Sequence, residues 1–133
     1  MKKVLLIVFI SILSVSCTSK VTSSDIPKIN GYWEIEKVNF SDGTQKDYTI
    51  NETFDYFEVK NNKGFRKKVK PQLDGTFLVN NDFEKIVIKQ LGGTFFIYYT
   101  TSFSKWKEEL RLLSDKELVL INEAKNEYHY KKA

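Results

Sequence analysis

From Asn30 onward, short apolar runs alternate with turns rich in glycine, asparagine and aspartate, a spacing that leaves little room for helices. The strongest turn signal is Gly92-Gly93, because both residues can adopt the positive φ that a tight hairpin between two apolar runs requires. No stretch keeps an apolar period of about 3.6 residues through three turns. The pattern therefore predicts an all-β antiparallel meander.

The expected strands follow from these turns. Residues 105–113 also have the composition of a helix, but alternation of Trp106, Glu108 and Leu110 with charged neighbours favours a strand there. Sequential strands leave unpaired edges unless the sheet closes, so we expect an up-and-down barrel of about eight to ten strands. The strands are predicted at about 31–40, 45–50, 53–60, 65–70, 76–80, 84–91, 94–102, 106–113, 117–122 and 127–132.

The N-terminus has the pattern of an export signal. Met1-Lys2-Lys3 precedes an apolar run from Val4 to Leu13, and small residues lead to Cys17. This arrangement resembles the lipobox of bacterial lipoproteins, which implies cleavage after residue 16 and a lipid anchor on Cys17. The alternative is an ordinary signal peptide that is cut near Ser16 or Thr18. The apolar run is shorter than the roughly 20 residues of a membrane-spanning helix.

The predicted anchor defines the expected domains and location. We expect a signal peptide over residues 1–16, a lipidated cysteine with a flexible tether over 17–29, and one domain over 30–133. No acidic cluster follows Cys17, which favours an outer-membrane position facing the periplasm. Loss of Lys2 and Lys3 reduces the net charge from +4 to +2, so the composition does not indicate nucleic-acid binding.

Gly31-Tyr32-Trp33 opens the first predicted strand. A Gly-x-Trp at this place, followed by a long meander, resembles the lipocalins, and especially lipocalin-like lipoproteins from envelopes of Bacteroidetes-type bacteria. The resemblance implies that Gly31 allows tight entry into the strand and that Trp33 closes one end of the barrel under a basic side chain. Arg111 and Lys131 are the candidates for that cation–π partner, and we favour Arg111.

The resemblance also implies a cavity for a small hydrophobic ligand. Its candidate wall consists of Phe96, Tyr98, Tyr128 and Tyr130, since tyrosines combine an apolar ring with a hydroxyl that can orient a ligand. The alternative is that these rings fill the barrel, in which case the chain is a structural or interaction module. Sequence does not choose between the two.

Catalytic chemistry has little support. The single histidine, His129, excludes a multi-histidine metal site, and acylation of Cys17 would remove the single thiol. We therefore expect no enzyme activity, metal or cofactor, and no protein partner is indicated. A lysine-rich cluster at residues 60–70 predicts a basic outer face, with Arg66 and Lys68 on it, that either meets anionic lipid or is simply solvated.

Overall fold

The computed structural model describes residues 20–79 and 81–133. The predicted signal segment and Cys17 therefore lie outside the described residues. A short 3₁₀ helix, Ser23–Ile29, precedes ten antiparallel strands in the described part of the chain. They are β1 (Gly31–Asn39), β2 (Gln45–Asp47), β3 (Phe54–Lys60), β4 (Lys63–Pro71), β5 (Phe77–Val79), β6 (Glu84–Leu91), β7 (Thr94–Thr100), β8 (Lys105–Leu113), β9 (Glu117–Ile121) and β10 (Glu127–Lys132).

Eight of the described strands close into a barrel. The hydrogen-bonded order is β1-β3-β4-β6-β7-β8-β9-β10, and β10 returns to pair with β1. The two short strands are additions, with β2 paired to β1 and β5 paired to β4. The prediction of a closed all-β antiparallel barrel is confirmed, and residues 105–113 form a strand. Within the described residues, no helix has the length and apolar character needed to cross a bilayer.

The two ends of the barrel differ. The 3₁₀ helix packs against β3 and β8 at one end, together with the β3–β4, β6–β7 and β8–β9 turns, and we call this the closed end. The longer segments 48–53, 72–76, 101–104 and 122–126 lie at the other, open end. The β4–β5 hairpin projects there and stacks Phe77 on Tyr32 outside the barrel, with ring centroids 4.1 Å apart.

The described part of the predicted tether belongs to the domain. Val21, Ile26 and Ile29 are buried against the barrel, so the expectation of a flexible spacer up to residue 29 is wrong from residue 21 onward. The physical reason is that these apolar side chains seal the closed end, where burial outweighs the polar character of their neighbours. In the sequence, only Thr18, Ser19 and Lys20 stand between Cys17 and the buried Val21.

Alternation along the strands fills the closed half of the barrel with large apolar side chains. Trp33 and Phe57 are fully buried, and branched aliphatic residues pack around them. A protein produced from Thr18 onward contains all of these core residues, so we expect it to fold. The fully buried aliphatic set consists of Ile29, Ile86, Ile97, Leu118 and Leu120.

Candidate functional site

Trp33 lies at the closed end, held between the first helix and the last strand. Its Nε1 donates a hydrogen bond of 2.8 Å to the carbonyl of Ile29. Lys132 Nζ lies 4.5 Å from the centre of the indole ring and donates to the carbonyl of Asn30 at 2.6 Å. Gly31 has a φ of +120°, and a Cβ there would lie 3.0 Å from that ammonium nitrogen. The backbone can approach the lysine only because residue 31 has no side chain.

The cation over Trp33 is therefore Lys132, and the prediction of Arg111 is wrong. Arg111 is exposed at an irregularity between Leu110 and Leu112 that interrupts the pairing of β8 with β9. Lys131, the second candidate, is also exposed, because the register pairs it with Glu34 and Glu117 on the outer surface. Only pairing of β10 with β1 brings Lys132 opposite Trp33, and that pairing joins the two ends of the domain.

The predicted pocket aromatics divide between the two surfaces of the barrel. Tyr128 and Tyr130 line a cleft that enters from the open end. Phe96 and Tyr98 face outward, where lysine ammonium groups lie over both rings, so the prediction that they line the interior is wrong. The inward residues of β7 are Phe95, Ile97 and Tyr99.

The cleft has a volume of about 320 Å³ and reaches from the open end down to Trp33. One wall is apolar and comes from β1. The part that comes from the neighbouring strands β3 and β4, and the mouth, are polar, with the carboxyl of Asp55 and the ammonium of Lys68 among the lining groups. The complete lining consists of Trp33, Ile35, Val38, Tyr48, Ile50, Asn51, Glu52, Thr53, Asp55, Lys68, Tyr128 and Tyr130.

Asp55 is the buried charge of this cleft. Only 3% of the residue is exposed, and its Oδ1 lies 2.6 Å from Lys68 Nζ. That contact is an ion pair between the buried carboxyl and a lysine whose side chain is largely exposed. Burial raises the pKa of Tyr130 well above its usual range, and the neighbouring negative charge of Asp55 adds to this. Tyr130 is therefore a neutral phenol beside a carboxylate.

Arg66 is also inside the barrel, because it pairs directly across from the buried Phe57. Its guanidinium lies 4.4 Å from the centre of the Tyr99 ring, and Nε donates to Glu84. The predicted outer position of Arg66 is wrong. Lys68, two residues along the same strand, lines the cleft while 64% of its side chain remains exposed. Sequence alone signalled neither placement, since basic residues most often face water.

Glu108 faces Arg66 from β8, with Oε1 3.9 Å from Nη1. Burial raises the pKa of this carboxyl, while proximity to Tyr99 and Arg66 lowers it in part. Tyr99 in turn stacks on Trp106, with ring centroids 5.2 Å apart. These side chains occupy the barrel beside the cleft, and they keep it from extending across the full width of the interior.

A second depression, of about 620 Å³, lies on the outer rim between segments 81–85 and 100–103. It is larger than the cleft, but its lining is mostly exposed and includes Phe83 and Phe103. It reaches no buried polar group. The smaller cleft is the better candidate because it reaches the buried Trp33, Asp55 and Tyr130.

Residues that commonly bind metals are dispersed in the described part of the chain, where no three of them come together. His129 lies on β10, where its Nε2 contacts Asn39 at 3.3 Å and Glu127 at 3.2 Å. Both contacts are on the outside of the barrel. They give His129 a surface hydrogen-bonding role.

Comparison with known proteins agrees with this architecture. The model of a family described as a lipocalin-like domain matches residues 29–120. A lipocalin-like protein from Bacteroides uniformis superimposes with a TM-score of 0.50 at 14% identity, over 80% of this chain and 99% of that one. An uncharacterized protein from Bacteroides eggerthii gives 0.49 at 12%, over 78% and 98%. Among curated proteins, none matches this sequence significantly.

Proposed function

This chain belongs to the lipocalin-like domain family, and from that membership we propose that it is a non-enzymatic binding protein of the bacterial envelope. In this proposal acyl chains on Cys17 anchor it to a membrane, with the outer membrane facing the periplasm as the expected location. The barrel holds a small ligand at its open end. The observation that carries the proposal is the cleft that reaches Trp33 and the buried carboxylate of Asp55.

The size of the cleft limits the ligand. Its 320 Å³ is near the lower end of the range of roughly 300–1,000 Å³ that is common for small-molecule sites. The closed half of the barrel is filled by side chains such as Phe57 and Leu118, so a long acyl chain has no room to extend downward. We therefore propose a compact ligand rather than a lipid.

The residues that line the cleft indicate that the ligand has an apolar part and a polar part. Ile35 and Val38, with the edge of Trp33, offer an apolar wall. On the neighbouring strands β3 and β4, the ion pair of Asp55 and Lys68 offers an acceptor and a donor, which suits a polar group on the same molecule. The ligand is thus amphiphilic, a more polar class than the hydrophobic ligand that sequence suggests.

The filled closed half supports a second candidate function. A barrel whose interior is mostly side chains can act as a structural or interaction module of the envelope, without a soluble ligand. Arg66 and Glu108 favour this alternative, because their side chains fill the space beside the cleft that a larger ligand would need. A binding experiment separates the two functions.

The experiment uses the chain from Thr18 onward, purified and examined by native mass spectrometry and by tryptophan fluorescence with a panel of indoles, quinones and short fatty acids. Thr53→Trp places a large ring at the mouth of the cleft, while Ser102→Trp places one on an exposed loop outside it. Ligand binding that T53W abolishes and S102W leaves unchanged supports the proposal. Absence of any bound mass or fluorescence change, or binding that T53W leaves unchanged, would overturn it.

The anchor is tested separately with the full chain. Cys17→Ser is expected to abolish incorporation of labelled palmitate and to release the protein from the membrane fraction, whereas Ser19→Ala leaves both unchanged. Retention of label in C17S would refute lipidation at this residue. Neither result depends on whether the cleft binds a ligand.

A further inference from the structure

One side of the barrel exterior carries aromatic rings and lysines in alternation. The outward residues of β3, β4, β6, β7 and β8 form this surface, which we call the basic face. Strand pairing places Phe65 beside Lys85, and Tyr98 beside Lys107. Its lysines are Lys60, Lys63, Lys67, Lys85, Lys89, Lys105 and Lys107, and its rings include Tyr56, Phe65, Phe96 and Tyr98.

Carboxylates are few on this surface. Along the described strands of the basic face, the outward acids are Glu58 and Glu109, and Glu58 accepts a hydrogen bond from Tyr56. Several ammonium groups lie over aromatic rings instead, including Lys89 over Tyr98 at 5.1 Å and Lys107 over Phe96 at 5.0 Å. Lysines therefore outnumber carboxylates on the outward surface of these strands, so positive charge is concentrated here.

The opposite side of the barrel is balanced. On the outer surface of β1, β9 and β10, Lys131 pairs across from Glu34 on one strand and from Glu117 on another. Lys37 likewise lies across from Asp47. A net charge that is modest for the whole chain is thus distributed asymmetrically, which a count of charged residues does not reveal.

The chain enters the domain at the lower edge of the basic face. Lys20 is the first described residue, and it lies against Gly93 in the β6–β7 turn, where a Cβ would be 3.4 Å from Lys20 Nζ. Leu91, the last residue of β6, lies beside this turn and is half-exposed. Cys17 precedes Lys20 by three residues, which span at most roughly 10 Å when extended.

We propose that the basic face is a docking surface for the anionic bilayer to which the protein is anchored. Its lysines contact acidic headgroups, and exposed apolar side chains such as Leu91 and Phe83 enter the interfacial layer. The location of the chain entry favours a bilayer over a soluble polymer, because a short spacer keeps this edge next to the membrane. The anchor part of this argument rests on the proposed lipidation of Cys17.

Docking in this way also orients the ligand cleft. The cleft opens at the end of the barrel opposite the chain entry, and β1 and β10, which supply much of its lining, lie across the barrel from β6 and β7. When the basic face contacts the bilayer, the mouth of the cleft is directed away from headgroups. A ligand then enters the cleft from the aqueous side while the protein stays docked on the membrane.

The test uses the chain from Thr18 onward, which carries no lipid, with vesicles of phosphatidylethanolamine and phosphatidylglycerol. Lys63, Lys85 and Lys105 are exposed on the basic face and are changed together to glutamine. Lys46, Lys116 and Lys131, which are exposed on the other side of the barrel, form the matched triple control. Circular dichroism verifies that both variants fold.

We expect the unmodified chain to sediment with these vesicles and not with phosphatidylcholine vesicles. The basic-face triple variant should weaken partitioning by roughly tenfold or more, since each lysine near an anionic surface contributes up to about fivefold. The control triple should stay within about twofold. Equal losses in both variants, or no binding to anionic vesicles, would overturn the proposal.

Binding to an anionic polysaccharide or to an oligonucleotide, without binding to vesicles, would also overturn it, in favour of a polymeric partner. Because this chain is not acylated, a failure of lipidation at Cys17 does not affect the result. The two proposals therefore fail independently.

Discussion

The ammonium of Lys132 lies 4.5 Å from the centre of the Trp33 ring and donates hydrogen bonds to the carbonyls of Asn30 and Lys28. β10 thus places Lys132 over Trp33, the side chain that closes the barrel. The same ammonium hydrogen-bonds β10 to the segment that precedes β1. Partial burial lowers the pKa of Lys132. This contact closes the sheet and seals the end of the barrel at the same time.

Removal of that cation should destabilise the domain. Lys132→Met keeps the aliphatic stem but loses the cation–π contact and both hydrogen bonds, so we expect the free energy of unfolding to fall by about 1–2 kcal/mol. Urea denaturation followed by circular dichroism measures the change. Lys131→Met, on the exposed neighbour, is the control and should change stability by less than about 0.5 kcal/mol. A K132M protein as stable as K131M would show that the contact contributes nothing.

Gly31 should not tolerate a side chain. Gly31→Ala combines a φ of +120° with a Cβ that lies 3.0 Å from Lys132 Nζ, so we expect a loss of about 2–3 kcal/mol. Gly43→Ala is the comparison, because Gly43 also has a positive φ but open space around it. Thermal unfolding of both variants separates backbone strain from the clash. Equal losses would place the whole cost in the backbone.

The two glutamates beside Arg66 should respond differently to neutralisation. Glu84 accepts a hydrogen bond from Arg66 Nε, and Glu84→Gln should cost about 1–3 kcal/mol at neutral pH. Glu108 Oε1 has no hydrogen-bond partner among the described residues, and burial raises the pKa of its carboxyl. Glu108→Gln should therefore cost less than E84Q or even stabilise the protein.

The pH dependence checks this interpretation. A carboxyl whose pKa is raised on folding favours the folded state while protonated, so stability declines as the pH rises above the ordinary glutamate pKa of 4.5. E108Q should remove that part of the decline, and urea titrations at several pH values measure it. A larger loss in E108Q than in E84Q would contradict the assignment.

Asp25 should give an opposite pH dependence. The backbone N–H of Thr22, followed by the ammonium of Lys28, lowers the pKa of this carboxyl to about 2. Its contribution to stability is complete above the ordinary aspartate pKa of 3.8 and is lost as the pH falls through about 2. Carbon NMR titration of the carboxyl measures the value directly. Lys28→Met should raise the pKa only part of the way, and a return to 3.8 would show that the backbone contact is unimportant.

Much of the strand order could be predicted because it depends on local chemistry. The turn at Gly92-Gly93 has positive φ at both residues, as a tight hairpin requires. Residues 105–113 are a strand because alternation of inward and outward side chains outweighs helix propensity once neighbouring strands pair. Trp33 is buried at the closed end, as the Gly-x-Trp resemblance implied.

Side-chain direction could not be predicted on two strands. On β7 both sets of alternate residues are apolar, so the pattern does not say whether Phe96 or Ile97 faces inward. On β4, Phe65 and Val69 suggest the inward face, yet Arg66 and Lys68 occupy it. The reason is pairing with β3, whose buried Asp55 and Phe57 lie across from them, since directly opposed residues share a face.

The sequence by itself determined the turns, the strand order and the antiparallel barrel, because each depends on residues that are close along the chain. Only the tertiary structure decided that Lys132 covers Trp33, that Asp55 and Lys68 meet in the cleft, and that outward lysines gather on one side. Those relationships join residues on different strands, and the register of the closed sheet sets them. A shift by one residue would turn each of these side chains to the other surface.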